Sequence, residues 1–237
     1  MSGPARANNL ARQISPPILW SAASAIKHRR GTRRSARGPA VPGKQDLGAY
    51  WDPEFATMLD HWGEGTVWVE IALLMWGYEG KVLDIACGTG RTMELLHPFP
   101  KLDVYGCDIS DLLIRKAAER GIREDRLTVC DATRTDYDGD QFDYSYSIGS
   151  LEHFTEEGIG KFLIECRRIT RRSSFHQIPV SATGREEGWV NGGRQSFFNN
   201  SVDWWMQWFT AAYPTVLVLD SGWRSRMSLG KWFICVK

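Results

Sequence analysis

The chain predicts a doubly wound α/β sheet of seven strands, mostly parallel with an antiparallel last strand and helices on both faces. Three observations carry this. Short apolar runs alternate with helix-like stretches from residue 80 onward, a glycine loop follows the first run, and a carboxylate stands at the end of each of the next two. No run approaches the ~20 apolar residues of a membrane span, and a 43% hydrophobic, 12% aromatic composition suits one domain with a substantial core.

Tyr50-Trp51 precede Asp52-Pro53, an N-cap and first-turn proline for a helix running to about Trp62. A second helix covers Thr66 to Trp76, with Trp76 expected in the core and Trp51 or Trp68 free to close over a ligand. Val82, Leu83, Ile85 and Ala86 form the first strand, apolar enough to be buried on both faces. Gly88-Thr89-Gly90 then gives a sharp turn in which backbone can approach a ligand. Arg91 to His97 is helical and stopped by Pro98. Leu102 to Cys107 is the second strand, ending in Asp108, and Ser110 caps a helix that Gly121 ends.

Leu127 to Cys130 is the third strand, ending in Asp131, and Phe142 to Ile148 the fourth. Thr155 starts the next helix, with Glu156 and Glu157 at the positive end of its dipole. Phe175 to Val180 is the fifth strand. Ser181 to Asn200, rich in Gly and Asn, is long enough to suspect a lid or substrate loop. An aromatic helix runs from Ser201 to Tyr213, and Val216 to Leu219 with Lys231 to Val236 make an antiparallel finish.

Charge divides the chain in two. Residues 1–45 carry nine Lys or Arg and no acid, leaving 20 of the 29 basic residues against all 28 acidic ones, so a basic tail joins an acidic domain, residues 46–237. The tail shows no sustained apolar period and is expected to lack structure of its own; a nucleic-acid-binding arm or an organelle address are the alternatives. The five cysteines, Cys87, Cys107, Cys130, Cys166 and Cys235, are spread singly with no Cys-x-x-Cys pair. They read as reduced thiols of a cytoplasmic protein, with no disulfide framework and no metal site.

In such sheets ligands bind at the carboxyl ends of the strands, beside the first strand. Asp108 lies 18 residues beyond Gly90, near the ~20 expected of a carboxylate that accepts ribose hydroxyl protons. This points to a nucleoside-containing cofactor. Met93 stands where a nicotinamide-binding turn needs a third small residue, which argues against NAD. Asp108 or Asp131 alone could merely cap the element that follows; in sequence with the glycine loop, binding is favoured.

Asp84-Ile-Ala-Cys-Gly-Thr-Gly90, Asp108, Cys130-Asp131-Ala132 and Ser150-Leu-Glu-His-Phe154 together resemble the motifs of class I S-adenosylmethionine-dependent methyltransferases, over about residues 50–237. The resemblance implies a Rossmann-like fold, S-adenosyl-L-methionine as cofactor, and methyl transfer to an oxygen or nitrogen of a small-molecule, glycan or lipid-linked acceptor. It implies Gly88, Thr89 and Gly90 at the methionine part of the cofactor, Asp84 orienting the loop and holding the amino group, and Asp108 on the ribose. Asp131 and the Ala132 backbone would read the adenine, Ile109 would pack on its face, and Ser147 and Ile148 would lie beneath the sulfonium.

If the acceptor loses a proton, His153 is the expected base and Glu152 its reserve. Tyr50, Trp51 and Trp189 are expected in the acceptor pocket beside the aromatic helix, whose Trp204 and Trp208, four apart, are expected to cover the sheet. An RNA methyltransferase using the basic tail, or a non-catalytic cofactor-binding partner domain, are the rival readings.

Overall fold

A computed structural model describes residues 45, 47–192 and 195–237. Apart from Gln45, the expected tail lies outside the described residues. A 3-10 turn, Leu47–Trp51, leads into α1, Pro53–Leu59, where the Asp52 side chain accepts from the Glu54 amide as the sequence predicts. The helix stops earlier than Trp62 because turns containing Gly63 and Gly65, the latter at φ +76°, break it. α2 spans Val67–Leu74. Trp76 falls beyond its end, off the buried Val67–Ile71–Met75 stripe, and is 76% exposed rather than part of the core.

The strands are β1 (Gly80–Ile85), β2 (Leu102–Asp108), β3 (Leu127–Val129), β4 (Phe142–Ile148), β5 (Thr170–Ser181), β8 (Thr215–Arg224) and β9 (Ser228–Val236), ordered 3-2-1-4-5-9-8. β1 through β5 are parallel to one another. β9 runs antiparallel between β5 and β8, so the last strand of the chain is the antiparallel one and β8 forms the edge. Strand order reverses between β1 and β4, and this opens a crevice at their carboxyl ends.

Helices α3 (Arg91–Leu96), α4 (Asp111–Glu119), α5 (Glu156–Ile169) and α6 (Val202–Ala212) complete the layers. Leu113 and Ala117 are the buried face of α4, which packs on β2 and β3. One core joins α5 and α6 to the sheet through Phe162, Leu163, Trp205, Phe209 and Phe233. The other joins α2 and Leu96 of α3 to Val82, Tyr146, Phe175 and Trp232.

Two elements depart from expectation. β5 begins five residues early, over Thr-Arg-Arg-Ser-Ser, because pairing with β4 and β9 satisfies its backbone while Arg171 reaches Asp143 and Ser174 reaches Tyr213. The Ser181–Asn200 connection contains a hairpin, β6 (Trp189–Asn191) with β7 (Ser196–Phe198). Among the described residues no helix is long and apolar enough to cross a membrane.

Candidate functional site

The crevice holds a cavity of about 350 Å³, within the range of small-molecule sites. Its floor is the turn after β1. Ala86 takes φ +60° and Gly88 φ +55°, so the chain leaves the strand through left-handed backbone that an alanine adopts only under strain. A Cβ built on Gly88 meets only Leu59 Cδ1, at 3.6 Å, so a cradle is left open above the loop. Gly90 does a different job from the one implied: at φ +73° it lies against α4, where a Cβ would come within 2.9 Å of Ala117 Cβ, and it is not part of the wall.

The loop is braced from three sides. Thr89 Oγ1 donates to Asp60 Oδ1 at 2.6 Å, and Arg120 donates to the Thr89 carbonyl at 2.9 Å and to Asp60. Asp108 accepts from Gly88 N at 3.0 Å and from Ser110 N at 2.9 Å, tying the ends of β1 and β2 together. Burial raises its carboxyl to about 6, the two backbone donors holding it lower than burial alone would. Asp84 accepts from Thr92 and from the Tyr146 hydroxyl, and its burial raises it to about 7.

Ile109, Asp131, Ala132 and Ile148 line the cavity with these residues. Asp131 is exposed and accepts from Thr133 N and Oγ1, both at 2.8 Å. Ser147 does not reach the cavity. Strand alternation turns it to the opposite face from Tyr146 and Ile148, where its hydroxyl meets His176 Nδ1 at 2.8 Å. Burial lowers His176 to about 3, so that histidine is a neutral core residue.

His153 stands on the wall. Its Nδ1–H donates to the Ser196 carbonyl of β7 at 2.9 Å, which fixes the tautomer and leaves the Nε2 lone pair free, and burial lowers its pKa. Glu152 lies behind it, 2% exposed and outside the wall, its Oε1 3.7 Å from His153 Nε2. Burial raises Glu152 to about 8.

Of the aromatic residues expected over a ligand, Tyr50 and Trp68 line the cavity, and burial raises the Tyr50 hydroxyl pKa. Trp51 instead donates to Asp111 Oδ1 at 2.8 Å from a half-open surface position. Trp189 packs edge-on against Phe198 at 4.7 Å, and Trp204, Trp205 and Trp208 face the core beneath α6. The aromatic wall comes from Phe55, Trp62, Trp68 and Phe154. The sequence argument also passed over Gln195, Arg91 and the Arg120–Asp60 brace; only the left-handed Ala86 sat inside a motif that could have flagged it.

The strand order, the open glycine cradle and the carboxylates after β1 and β2 define a class I fold built for a nucleoside cofactor. Residues 82–173 match a family model described as a methyltransferase domain. No curated protein sequence matches the chain. Among solved structures it is similar to the Burkholderia thailandensis 1,6-didemethyltoxoflavin-N1-methyltransferase, at 16% identity over all of this chain and 93% of that one, TM-score 0.61. An Aquifex aeolicus SAM-dependent methyltransferase gives 17% identity over 78% and 99%, TM-score 0.56. Phosphoethanolamine N-methyltransferase 2 of Haemonchus contortus gives 16% over 71% and 52%, TM-score 0.57. Residues 82–173 thus carry a methyltransferase domain within the fold of the class I methyltransferases, and the cofactor such a domain uses is S-adenosyl-L-methionine.

Proposed function

We propose that the enzyme methylates an oxygen or nitrogen of a small molecule, free or glycan- or lipid-linked, with His153 as the proton acceptor. The observation that carries this is the free Nε2 of His153 in a cavity wall beside Ile148, Gly149 and Ser150, with its ring oriented by Ser196. The open cradle at Gly88 fits the cofactor's chain, and Asp84, Gly88 and Thr89 would hold its methionine part. Asp108 would take the ribose; Ile109, Asp131 and Ala132 would take the adenine, with Ile148 beneath the sulfur. Gly90 and Ser147 would act through the packing that sets the loop and β4.

When bound, S-adenosylmethionine supplies a methyl group on a positively charged sulfur that keeps the bonding electrons on displacement. The protein's tasks are then alignment, exclusion of water and removal of the acceptor's proton. Relatives of this fold that act on 1,6-didemethyltoxoflavin and phosphoethanolamine support a small acceptor. The cavity's apolar and aromatic wall, and the acidity of residues 46–237, favour it over RNA.

Incubation with methyl-labelled cofactor and fractionated cell extract tests the reading: label is expected in a small metabolite fraction. Label in RNA, lost together with salt-sensitive RNA affinity when residues 1–45 are deleted, would establish the rival. Cofactor binding without label in any fraction would favour a partner-stabilising domain.

A further inference from the structure

Behind the cavity wall next to β4 lies a buried carboxyl with no hydrogen-bond partner, set against the ring of His153. Glu152 Oε2 is buried with no hydrogen-bond partner, and Oε1 faces His153 Nε2 at 3.7 Å, beyond hydrogen-bond distance. Because Nδ1 gives its hydrogen to Ser196, the neutral His153 ring also presents only a lone pair there. A buried carboxyl without a donor keeps its proton, and it ionises only when a cation is brought beside it.

Among the described residues, no unpaired cation faces this point. The Tyr50 hydroxyl, from the turn before α1, is engaged by Gln195 and Gln45, and Asp108 stands behind it as another acid. Arg91 is held by Glu94 and lies over the Trp68 ring, while Lys161 at the mouth is paired with Glu157 at 2.6 Å.

We propose that the acceptor is an amine, bound as its ammonium ion, and that Glu152 is the counter-charge that selects it while His153 takes one of its protons. This rests on the methyltransferase reading above and narrows its acceptor. A neutral hydroxyl gives Glu152 no reason to ionise, whereas an ammonium brings the charge that does, and the rings of Tyr50, Trp62 and Phe154 suit a cation. One ammonium proton passes to His153 Nε2, which frees the nitrogen lone pair for the methyl group. The imidazolium so formed faces the Glu152 carboxylate, and the methylated nitrogen leaves carrying the positive charge. Burial keeps a proton on Glu152 near neutrality, so entry of a cation expels it.

Calorimetry on the full chain separates this inference from the reading beneath it. S-adenosylhomocysteine is titrated first; failure of folded protein to bind it would sink the methyltransferase reading. On protein saturated with that product, 2-phenylethylammonium is compared with neutral 2-phenylethanol and anionic 3-phenylpropanoate. The ammonium is expected to bind about tenfold or more tightly than either, the effect of one charge-assisted hydrogen bond. It should release up to one proton, read from the dependence of heat on buffer ionisation enthalpy. Glu152→Gln should abolish both the preference and the proton release, while S-adenosylhomocysteine affinity, the check on folding, stays unchanged. Equal binding of the three probes, preference for the anion, no ammonium binding at millimolar concentration, or a preference that survives Glu152→Gln would each overturn the proposal.

Discussion

At the scale of single residues, the site concentrates three carboxyls that burial makes hard to ionise: Asp108 raised to about 6, Asp84 to about 7 and Glu152 to about 8. Between the ordinary carboxylate range and these values the folded chain holds more protons than the unfolded one, so their effect is to lower stability as pH rises. Buried His153 and His176 act oppositely, but only as pH falls through about 6.5, the ordinary histidine range. From about pH 7 to 8 the carboxyls dominate, the buried thiols, also raised, adding the same sign above that, and the Tm of the cofactor-free protein is expected to fall by a few degrees across the window, with Glu152→Gln flattening the fall in thermal scans. Ala86→Gly should relieve the left-handed alanine and raise denaturant stability by up to about 1 kcal/mol, read as a higher urea midpoint at constant slope. Asp108→Ala removes both the loop tie and the expected ribose contact, so calorimetry should show S-adenosylhomocysteine binding weakened about 10-fold to 100-fold. Asp84, Asp108 and the glycine loop could be picked out of the sequence because strand-end chemistry repeats at fixed places. The sideways turn of Ser147 could not, since a strand one residue out of phase reads the same in composition.

At the scale of elements, caps and strand cores were legible and polar strand ends were not. Asp52, Ser110, Thr155 and Ser201 all cap as their residue types dictate. Ser201 Oγ accepts from Trp204 N at 3.1 Å, and Ser201→Ala should cost about 1 kcal/mol in chemical denaturation, with the loss confined to a cap. The first five residues of β5 and the β6–β7 hairpin escaped notice because their strand state is imposed by partners. β5 is held by two neighbours distant in sequence, and among the described residues Ser196–Phe198 pairs only with Trp189–Asn191. Tertiary pairing outweighs local preference there. Trp204 and Trp208, four apart, were legible as cover for the sheet, and the packing of α6 against α5 sets them at the core, whereas Trp189, expected in the acceptor pocket, packs on Phe198 instead.

At the scale of the whole molecule, the two hydrophobic layers clamp the sheet and leave its strand ends free to work. Phe209 stacks on Phe233 at 4.6 Å and 7° and lies 5.5 Å from the His176 ring, joining α6 to β9 and β5. Phe209→Ala should therefore cost about 3–5 kcal/mol, measured as a lower denaturant midpoint, with the site's own residues untouched. Seven strands and the antiparallel finish were visible from element order, but the seating of β9 inside the sheet was not, because nothing in a strand's own residues names its neighbour. That seating has a consequence for synthesis. β8 leaves the ribosome first yet pairs only with β9, and the free edge of β5 waits for the same segment. Until Ser228–Val236 has cleared the exit tunnel, two hydrogen-bonding edges stay open on the nascent sheet. A chain stalled or terminated before this segment would thus lose far more than the nine residues of β9 and would meet chaperones and proteases as a sticky, unfinished sheet.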